Sequence, residues 1–344
     1  MNPEFWRGRR VLLTGHTGFK GSWLGLWLTE LGADVVGFSN GVPTTPSLFE
    51  VADVRSRLTS LTGDVRDLDA LKRAVSDHAP EIVFHLAAQP LVRVSYADPV
   101  TTFETNVLGT VNVLDAARDA RVVVNVTTDK VYANDERELP FREGEPLGGK
   151  DPYSASKASS ELVSAAYRES FGVPVATARA GNVIGGGDWA EDRLVPDLLA
   201  GALSGKPVVV RNPRSVRPWQ HVLNASEGYV LLAERLWDDR AYADAWNFGP
   251  EEDDARPVHW IVDRLSALWG EEIRVESPVD PQPAEARFLR LDSSRARERL
   301  GWSPRWDLEL ALQSIVEWTR AYAAGEDMRE ATLAQIRAFA AVTV

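Results

Sequence analysis

Tyr153 and Lys157 stand four residues apart in Tyr153-Ser154-Ala155-Ser156-Lys157, at the head of a segment with helical spacing, so both side chains share one helix face. A phenol beside an ammonium is a proton-transfer pair. The cation favours phenolate and lowers the tyrosine from its reference value near ~10. Such a phenolate can take the proton of a hydroxyl while hydride leaves the same carbon. Lysine is scarce in this chain, six residues against 32 arginines. Arginine stays protonated, whereas a lysine's proton can be moved by its surroundings. Lysines kept in so arginine-rich a background therefore mark positions where arginine will not serve. Three of the six fall in chemical stretches: Lys157, Lys130 in Thr128-Asp129-Lys130, and Lys20 in Gly15-His16-Thr17-Gly18-Phe19-Lys20-Gly21.

That last stretch has the spacing G-x-x-G-x-x-G between an apolar run, Arg10–Thr14, and the helical spacing of Trp23, Leu24, Trp27, Leu28 and Leu31. Glycines at a strand–helix junction allow a tight turn and bring backbone N–H groups up to a pyrophosphate. Gly15, Gly18, Phe19, Lys20 and Gly21 are accordingly read as contacts to a dinucleotide. The second strand ends Gly37-Phe38-Ser39-Asn40, with neither the acid that binds a ribose 2′-hydroxyl nor an arginine for a 2′-phosphate. Ser39 is left as a ribose contact, and the choice between NAD and NADP stays open. Asp64, in Gly63-Asp64-Val65, either faces an adenine or caps a turn.

The scaffold that must position these groups alternates. Strands are predicted at Arg10–Thr14, Ala33–Phe38, Glu81–Leu86, Arg121–Val126 and Val173–Ala178, with a further one ahead of Asp64. Helices are predicted at Ser22–Leu31, Leu68–His78, Thr102–Ala117 and Ser154–Ser170. The alternation specifies an α/β fold with a doubly wound parallel sheet of Rossmann type. Past Asn182 glycines and prolines break the pattern. A helix at His221–Leu236 and a strand at Ala245–Phe248 return to the first lobe, and Arg256–Trp269, Ala296–Leu300 and Leu308–Ala324 read as helices of a smaller C-terminal lobe. The expected division is a dinucleotide-binding domain over 1–183, with 221–249 returning to it, and a substrate-binding domain over 184–220 and 250–344. A cleft between them lies over the carboxyl ends of the strands.

The bulk composition excludes several alternatives. The chain has 344 residues, 44% hydrophobic and 26% charged, and a net charge of −12, which opposes nucleic-acid binding. It has no cysteine, so disulfides, thiolate metal sites and cysteine nucleophiles are ruled out. Its five histidines lack metal-ligand spacing, and no apolar run reaches membrane length. A cytoplasmic enzyme fits, with no metal, no nucleic acid and no membrane.

The glycine loop, the Tyr153/Lys157 pair, His85-Leu86-Ala87-Ala88 and Thr105-Asn106-Val107-Leu108-Gly109-Thr110 together resemble the extended short-chain dehydrogenase/reductase family, over nearly the whole chain. Narrower segments resemble its sugar-nucleotide dehydratase branch, in particular the enzymes that act on CDP-glucose: Gly15–Leu24, Pro43–Glu50, His85–Val92, Thr128–Tyr132, Gly181–Trp189 and Arg217–Val222. Ala133-Asn134 departs from that branch, and Asp135–Lys150 diverges from it.

The resemblance implies tightly bound NAD, a nucleoside diphosphate hexose as substrate and a homodimer built on two long helices. It implies cofactor contacts at Val65, Leu86, Ala87 and Ala88 besides those above. Tyr153 would take the 4-hydroxyl proton as hydride passes from C4 to NAD; Thr128 would hold the C4 oxygen, and Lys157 the nicotinamide ribose. The 4-ketone acidifies the C5 proton. Asp129 is assigned as the acid that releases the C6 hydroxyl as water and Lys130 as the base at C5, after which hydride returns to C6. The bland readings are a turn or cap role for Asp129 and a phosphate or loop ion pair for Lys130. Asn182, Arg193, Arg217 and, more weakly, Arg287 and Arg290 are the substrate contacts. A sugar-nucleotide epimerase shares the cofactor loop and Tyr153/Lys157 without needing the Asp129–Lys130 couple. A non-catalytic NAD-sensing regulator would be expected to have lost the tyrosine or the lysine.

Overall fold

Seven strands form one parallel sheet in a computed structural model that describes residues 1–279 and 286–342. They are β1 Arg10–Thr14, β2 Asp34–Ser39, β3 Thr59–Thr62, β4 Ile82–His85, β5 Val122–Val126, β6 Val175–Ala180 and β7 Ala245–Phe248. Their order is β7-β6-β5-β4-β1-β2-β3, with every neighbouring pair parallel. The chain reverses direction across the sheet between β1 and β4, which opens a crevice at their carboxyl ends. Central strands such as β5 are buried along their whole length, as expected for valine-rich strands covered on both faces.

Helices α1 Phe19–Glu30, α2 Leu68–His78, α3 Gly109–Ala116 and α4 Pro152–Phe171 follow β1, β3, β4 and β5. Helix α5 Leu194–Ser204 lies in the second lobe, and α6 Val222–Asp238 returns to the sheet ahead of β7. One face carries α2 and α3, with Leu71, Ala74, Val113 and Leu114 against Leu12, Val83 and Val123. The other carries α1 and α6. Helix α1 is buried on nearly every side from Gly21 to Leu28, because α9 Met328–Ala341 covers its outer face: Phe339 meets Trp27 edge to face at 5.5 Å.

Two helices of more than ten residues were not expected from the sequence. In α5, Pro196 and Gly201 disguise the helical pattern, while α9 begins at an Asp327 cap that accepts hydrogen bonds from Arg329 N and Glu330 N. The helix expected at Thr102–Ala117 is present but interrupted: a π-helical turn, Glu104–Leu108, precedes α3. Such a turn re-aims one side chain. Here Asn106 accepts from Gln89 N (2.8 Å) and donates to Gln89 O (3.0 Å) and Ser156 Oγ (2.9 Å), which ties the loop after β4 to α4.

A second apolar cluster joins Ile184, Leu198, Val208, Trp219, Ile261, Leu265, Leu312 and Ile315, drawn from α5, α7 Val258–Trp269 and α8 Leu308–Ala323. Short strand pairs stitch this lobe together, Val183–Ile184 with Gln220–His221 and Val216–Pro218 with Ala255–Pro257. Among the described residues no helix is long and apolar enough to cross a membrane.

Candidate active site

The glycine loop folds as an N-terminal anion cradle. Gly15 takes φ +76° and accepts a hydrogen bond from Gly18 N (3.1 Å). A Cβ on Gly21 would stand 2.1 Å from Gly15 O, so only glycine allows the turn to close under α1. Gly18 caps α1 without a side-chain acceptor, leaving the first amides free for an anion. The helix begins at Phe19, three residues earlier than expected, which places Lys20 on its first turn.

Gly15, Gly18, Phe19, Lys20, Gly21, Ser39, Asp64, Val65, Leu86, Ala87, Ala88, Tyr153 and Lys157 all line one cavity of ≈ 230 Å³ over β1, β2 and β4. Its adenosine end carries Ser39, Asn40, Gly41 and Asp64, with no lysine or arginine on its wall. The Ser39 hydroxyl, expected on a ribose, bonds instead to His16 Nδ1 (2.9 Å), and His16 Nε2 meets Ser60 Oγ (2.8 Å). The spacing of the sequence could not show that a buried imidazole lies under Gly37, where a Cβ would come 2.3 Å from the ring. Asp64 pairs with Arg66 at 2.7 Å. The hydrogen bond from Arg66 is the main force that holds its carboxyl below the usual range, and burial opposes it.

Thr128, Asp129, Lys130, Tyr153, Asn182, Arg193 and Arg217 line a second cavity of ≈ 280 Å³ between the lobes. Lys20, Pro90, Thr127, Tyr153 and Arg193 belong to both walls, so the two chambers meet at the tyrosine. Thr128 ends the run from β5 and caps the turn Asp129–Val131, accepting from Lys130 N; its hydroxyl donates to Asp129 Oδ1 (3.0 Å). Asp129 is 2% exposed. Burial pushes its carboxyl above the usual range, against the charges of Lys130, Arg217 and Lys20 and the Thr128 hydrogen bond. Asp129 Oδ2 is buried with no hydrogen-bond partner among the described residues. Gly181 makes room for it, since a Cβ there would fall 1.8 Å from that oxygen. Asn182 follows in the left-handed region at φ +37°, where asparagine is well tolerated.

Lys157 is buried on α4, one turn after Tyr153. Its ammonium donates to Val126 O (2.9 Å), and burial draws it down to about 8 against the opposing charge of Glu161. Removal from water pushes the Tyr153 phenol up to about 12, with the Thr128 hydroxyl and the Arg193 charge pulling the other way. The expected lowering is therefore absent, because burial outweighs the neighbouring groups that favour phenolate.

Arg287 is not brought to the site: it is exposed, and its guanidinium lies over Phe288, 5.1 Å from the ring centroid. Among the described residues it reaches the cleft through its carbonyl, which accepts from Val216 N and Arg217 Nη1. Arg290 likewise lies off the cavity walls. Conversely, Arg93, Asp188, Asp192, Arg211 and Trp219 line the sugar-side cavity and were not singled out from the sequence. Asp192 joins Arg93 (3.3 Å) and Arg211 across its mouth. The basic Arg211-Asn212-Pro213-Arg214 run was the available signal. A further omission lies beneath the floor. Glu161, one helical turn past Lys157, accepts from Thr127 (2.5 Å), Thr177 (2.7 Å) and Arg179 (2.9 Å). Burial opposes its charge, but Arg179 and the two hydroxyls prevail and hold it below the usual range.

This geometry has counterparts. The profile of the GDP-mannose 4,6 dehydratase family matches residues 12–315. The chain belongs to that family. Within it, CDP-glucose 4,6-dehydratase of Salmonella typhimurium is 49% identical over 341 residues, covering 95% of each chain. Of solved structures, dTDP-glucose 4,6-dehydratase of Streptomyces venezuelae, determined with NAD bound, superposes with a TM-score of 0.80 at 26% identity over 93% of this chain and 99% of its own. UDP-glucose 4-epimerase of Thermus thermophilus, in complex with NAD, does so at 0.82 and 27% identity over 90% and 99%.

Proposed function

We propose that this member of the dehydratase family removes water from a nucleoside diphosphate hexose, CDP-glucose, and yields the 4-keto-6-deoxy sugar nucleotide with NAD as a resident cofactor. One observation carries the reading: Tyr153, Thr128, Asp129 and Lys130 border a single cavity where it meets the dinucleotide chamber. The 49% identity to a CDP-glucose 4,6-dehydratase supports the substrate. An epimerase needs the tyrosine but has no use for a buried acid beside an amine.

The dinucleotide chamber fits NAD. The open amides of α1 and the Gly15–Gly21 close approach suit a diphosphate, and an adenosine end lined by Asp64 and no cation suits an unphosphorylated ribose. Held by the Gly15–Gly21 loop, Asp64 and Lys157, NAD would supply the hydride acceptor for C4 and the donor for C6. Tyr153 takes the 4-hydroxyl proton while Thr128 holds the C4 oxygen. Asp129, kept protonated by burial, gives its proton to the departing C6 oxygen as Lys130 removes the C5 proton. Arg217 and Asn182, with Arg193 where the two chambers meet, hold the nucleoside diphosphate.

We assign 1–183 with 221–249 to the cofactor and 184–220 with 250–344 to the sugar nucleotide; the second apolar cluster supports the core of the latter, while Ala296, Leu300, Trp302 and α9 pack into the cluster of the first lobe. We also propose a homodimer through α4 and the segment leading into α3. Val100, Phe103 and Leu108 on the one and Leu162 and Phe171 on the other leave large side chains 39–66% exposed. A cytoplasmic location belongs to the same proposal and rests on the cysteine-free composition.

The test is to give purified protein CDP-glucose with no added oxidant. The product should be one water lighter than substrate by mass spectrometry and should carry deuterium at C5 when made in heavy water. Formation of a C4 stereoisomer alone overturns the dehydratase reading.

A further inference from the structure

Lys20 opens α1 beside the dinucleotide chamber, yet its side chain also lines the sugar-side cavity. Its surroundings are mixed, with Arg193 and Lys157 as cationic neighbours and Asp129 and Asp188 as acidic ones. Asp188 is already paired with Arg193 at 3.3 Å. Asp129 is not paired in this way: Oδ1 accepts from Thr128, and Oδ2 is buried without a hydrogen-bond partner. Lys20 itself makes no hydrogen bond or ion pair among the described residues. An amine and a carboxyl oxygen, each lacking a direct partner, therefore border the same chamber.

We propose that Lys20 is a positioning residue for water loss, whose ammonium stabilises the carboxylate that Asp129 becomes on giving its proton to the departing C6 oxygen. The inference rests on the dehydratase reading. In that step Lys130 takes the C5 proton, the C5–H electron pair becomes the C5–C6 double bond, the C6–O bond breaks, and Asp129 supplies the proton that completes water. A neutral acid thus turns into a buried anion, which is costly unless a cation faces it. Lys130 and Arg217 are the other cations that face Asp129, and Lys20 adds a third from the dinucleotide side. Two neighbouring cations restrain Lys20 as well: burial first, then Arg193 and Lys157, bring its amine down to about 7. Its charge is present below that pH and fades above it.

Lys20→Met and Lys20→Arg decide the matter. The readouts are single-turnover quenching with CDP-glucose, the pH profile of water loss, and the NAD released on denaturing each purified protein. In Lys20→Met, water loss should slow by about tenfold or more while C4 oxidation persists, so that an undehydrated 4-keto hexose nucleotide, two hydrogens lighter than substrate, accumulates. Because Lys20 also lines the dinucleotide chamber, rates are compared per NAD-loaded enzyme, and water loss should fall further than NAD content does. Lys20→Arg should recover part of the rate and hold it to higher pH than the parent does, since guanidinium keeps its proton. The proposal is overturned if Lys20→Met dehydrates at the parental rate. It is equally overturned if both variants lose NAD and C4 oxidation together with no accumulated ketone, which would make Lys20 a cofactor contact alone. Failure of the parent protein itself to release water would instead strike the dehydratase assignment.

Discussion

Asp129 and Tyr153 are both moved toward their neutral forms by loss of water, which suits the acid and works against the base. A carboxyl raised by burial keeps a proton to give. The active form is the protonated acid, so water loss should decline as pH rises through the displaced value of Asp129. In Asp129→Asn that alkaline decline should disappear along with most of the rate, a fall of roughly 10² or more followed by product mass. Burial raises Tyr153 to about 12, so the phenolate that accepts the 4-hydroxyl proton has to be stabilised by its surroundings, and the Thr128 hydrogen bond and the Arg193 charge pull that way. Tyr153→Phe should lower turnover by roughly 10²–10⁴ with NAD still bound, measured as product formed and as nucleotide released. Lys130→Met should leave cofactor binding intact and abolish water loss; unchanged turnover would remove Lys130 from the chemistry.

At the scale of elements, the site depends on how β5, β6 and α4 are clamped. Glu161 on α4 ties Thr127 after β5 to Thr177 and Arg179 on β6, in an ion pair whose side chains are 3% and 4% exposed. Arg179 continues to the Tyr132 hydroxyl (2.9 Å), which donates to Asn247 Oδ1 on β7 (2.6 Å). Glu161→Gln leaves a buried guanidinium without its counter-charge. Its cost should be about 3–5 kcal/mol, read from the midpoint of denaturant unfolding. Gly181→Ala tests the other end of the clamp. Its methyl overlaps Asp129 Oδ2, so the carboxyl must swing aside. Water loss should fall at least tenfold while NAD content is kept, since a displaced acid forfeits most of its general-acid contribution.

At the scale of the whole molecule, three imidazoles are buried neutral. His85 bridges Thr14 (2.7 Å) and Thr110 (3.3 Å), His221 lies between Trp23 and Trp306, and His16 sits beneath Gly37. Burial lowers them to about 3, about 3 and about 4. Their folded values lie below the unfolded value, so the stability they confer is complete above ~6.5 and is lost as pH falls toward 4. Each should cost about 2 kcal/mol at pH ~5 relative to pH ~7. Thermal unfolding should therefore drop in temperature across that interval, and a flat profile would contradict the buried neutral assignment. The apolar side chains left open on α4 and ahead of α3 predict a second effect at this scale. Leu162→Glu with Phe103→Glu should halve the mass seen by light scattering without unfolding the chain.

Much of this was legible in the chain alone because it is local. A buried parallel strand reads as an apolar run, a glycine loop declares itself by spacing, and Tyr153 and Lys157 share a face through helix geometry. The seven-stranded alternation and the glycine-loop side of the dinucleotide chamber follow from such short-range rules, while Val65, Leu86, Ala87 and Ala88 were implied by the family resemblance. What the tertiary structure decided is where each charge ends up and what water it keeps. Lys157 turns to the Val126 carbonyl, Ser39 is claimed by His16 from across a strand, Arg287 stays outside the cleft, and Lys20 reaches the sugar side. Proton affinities depend on burial and on neighbours that are remote in sequence, and no spacing rule carries that information.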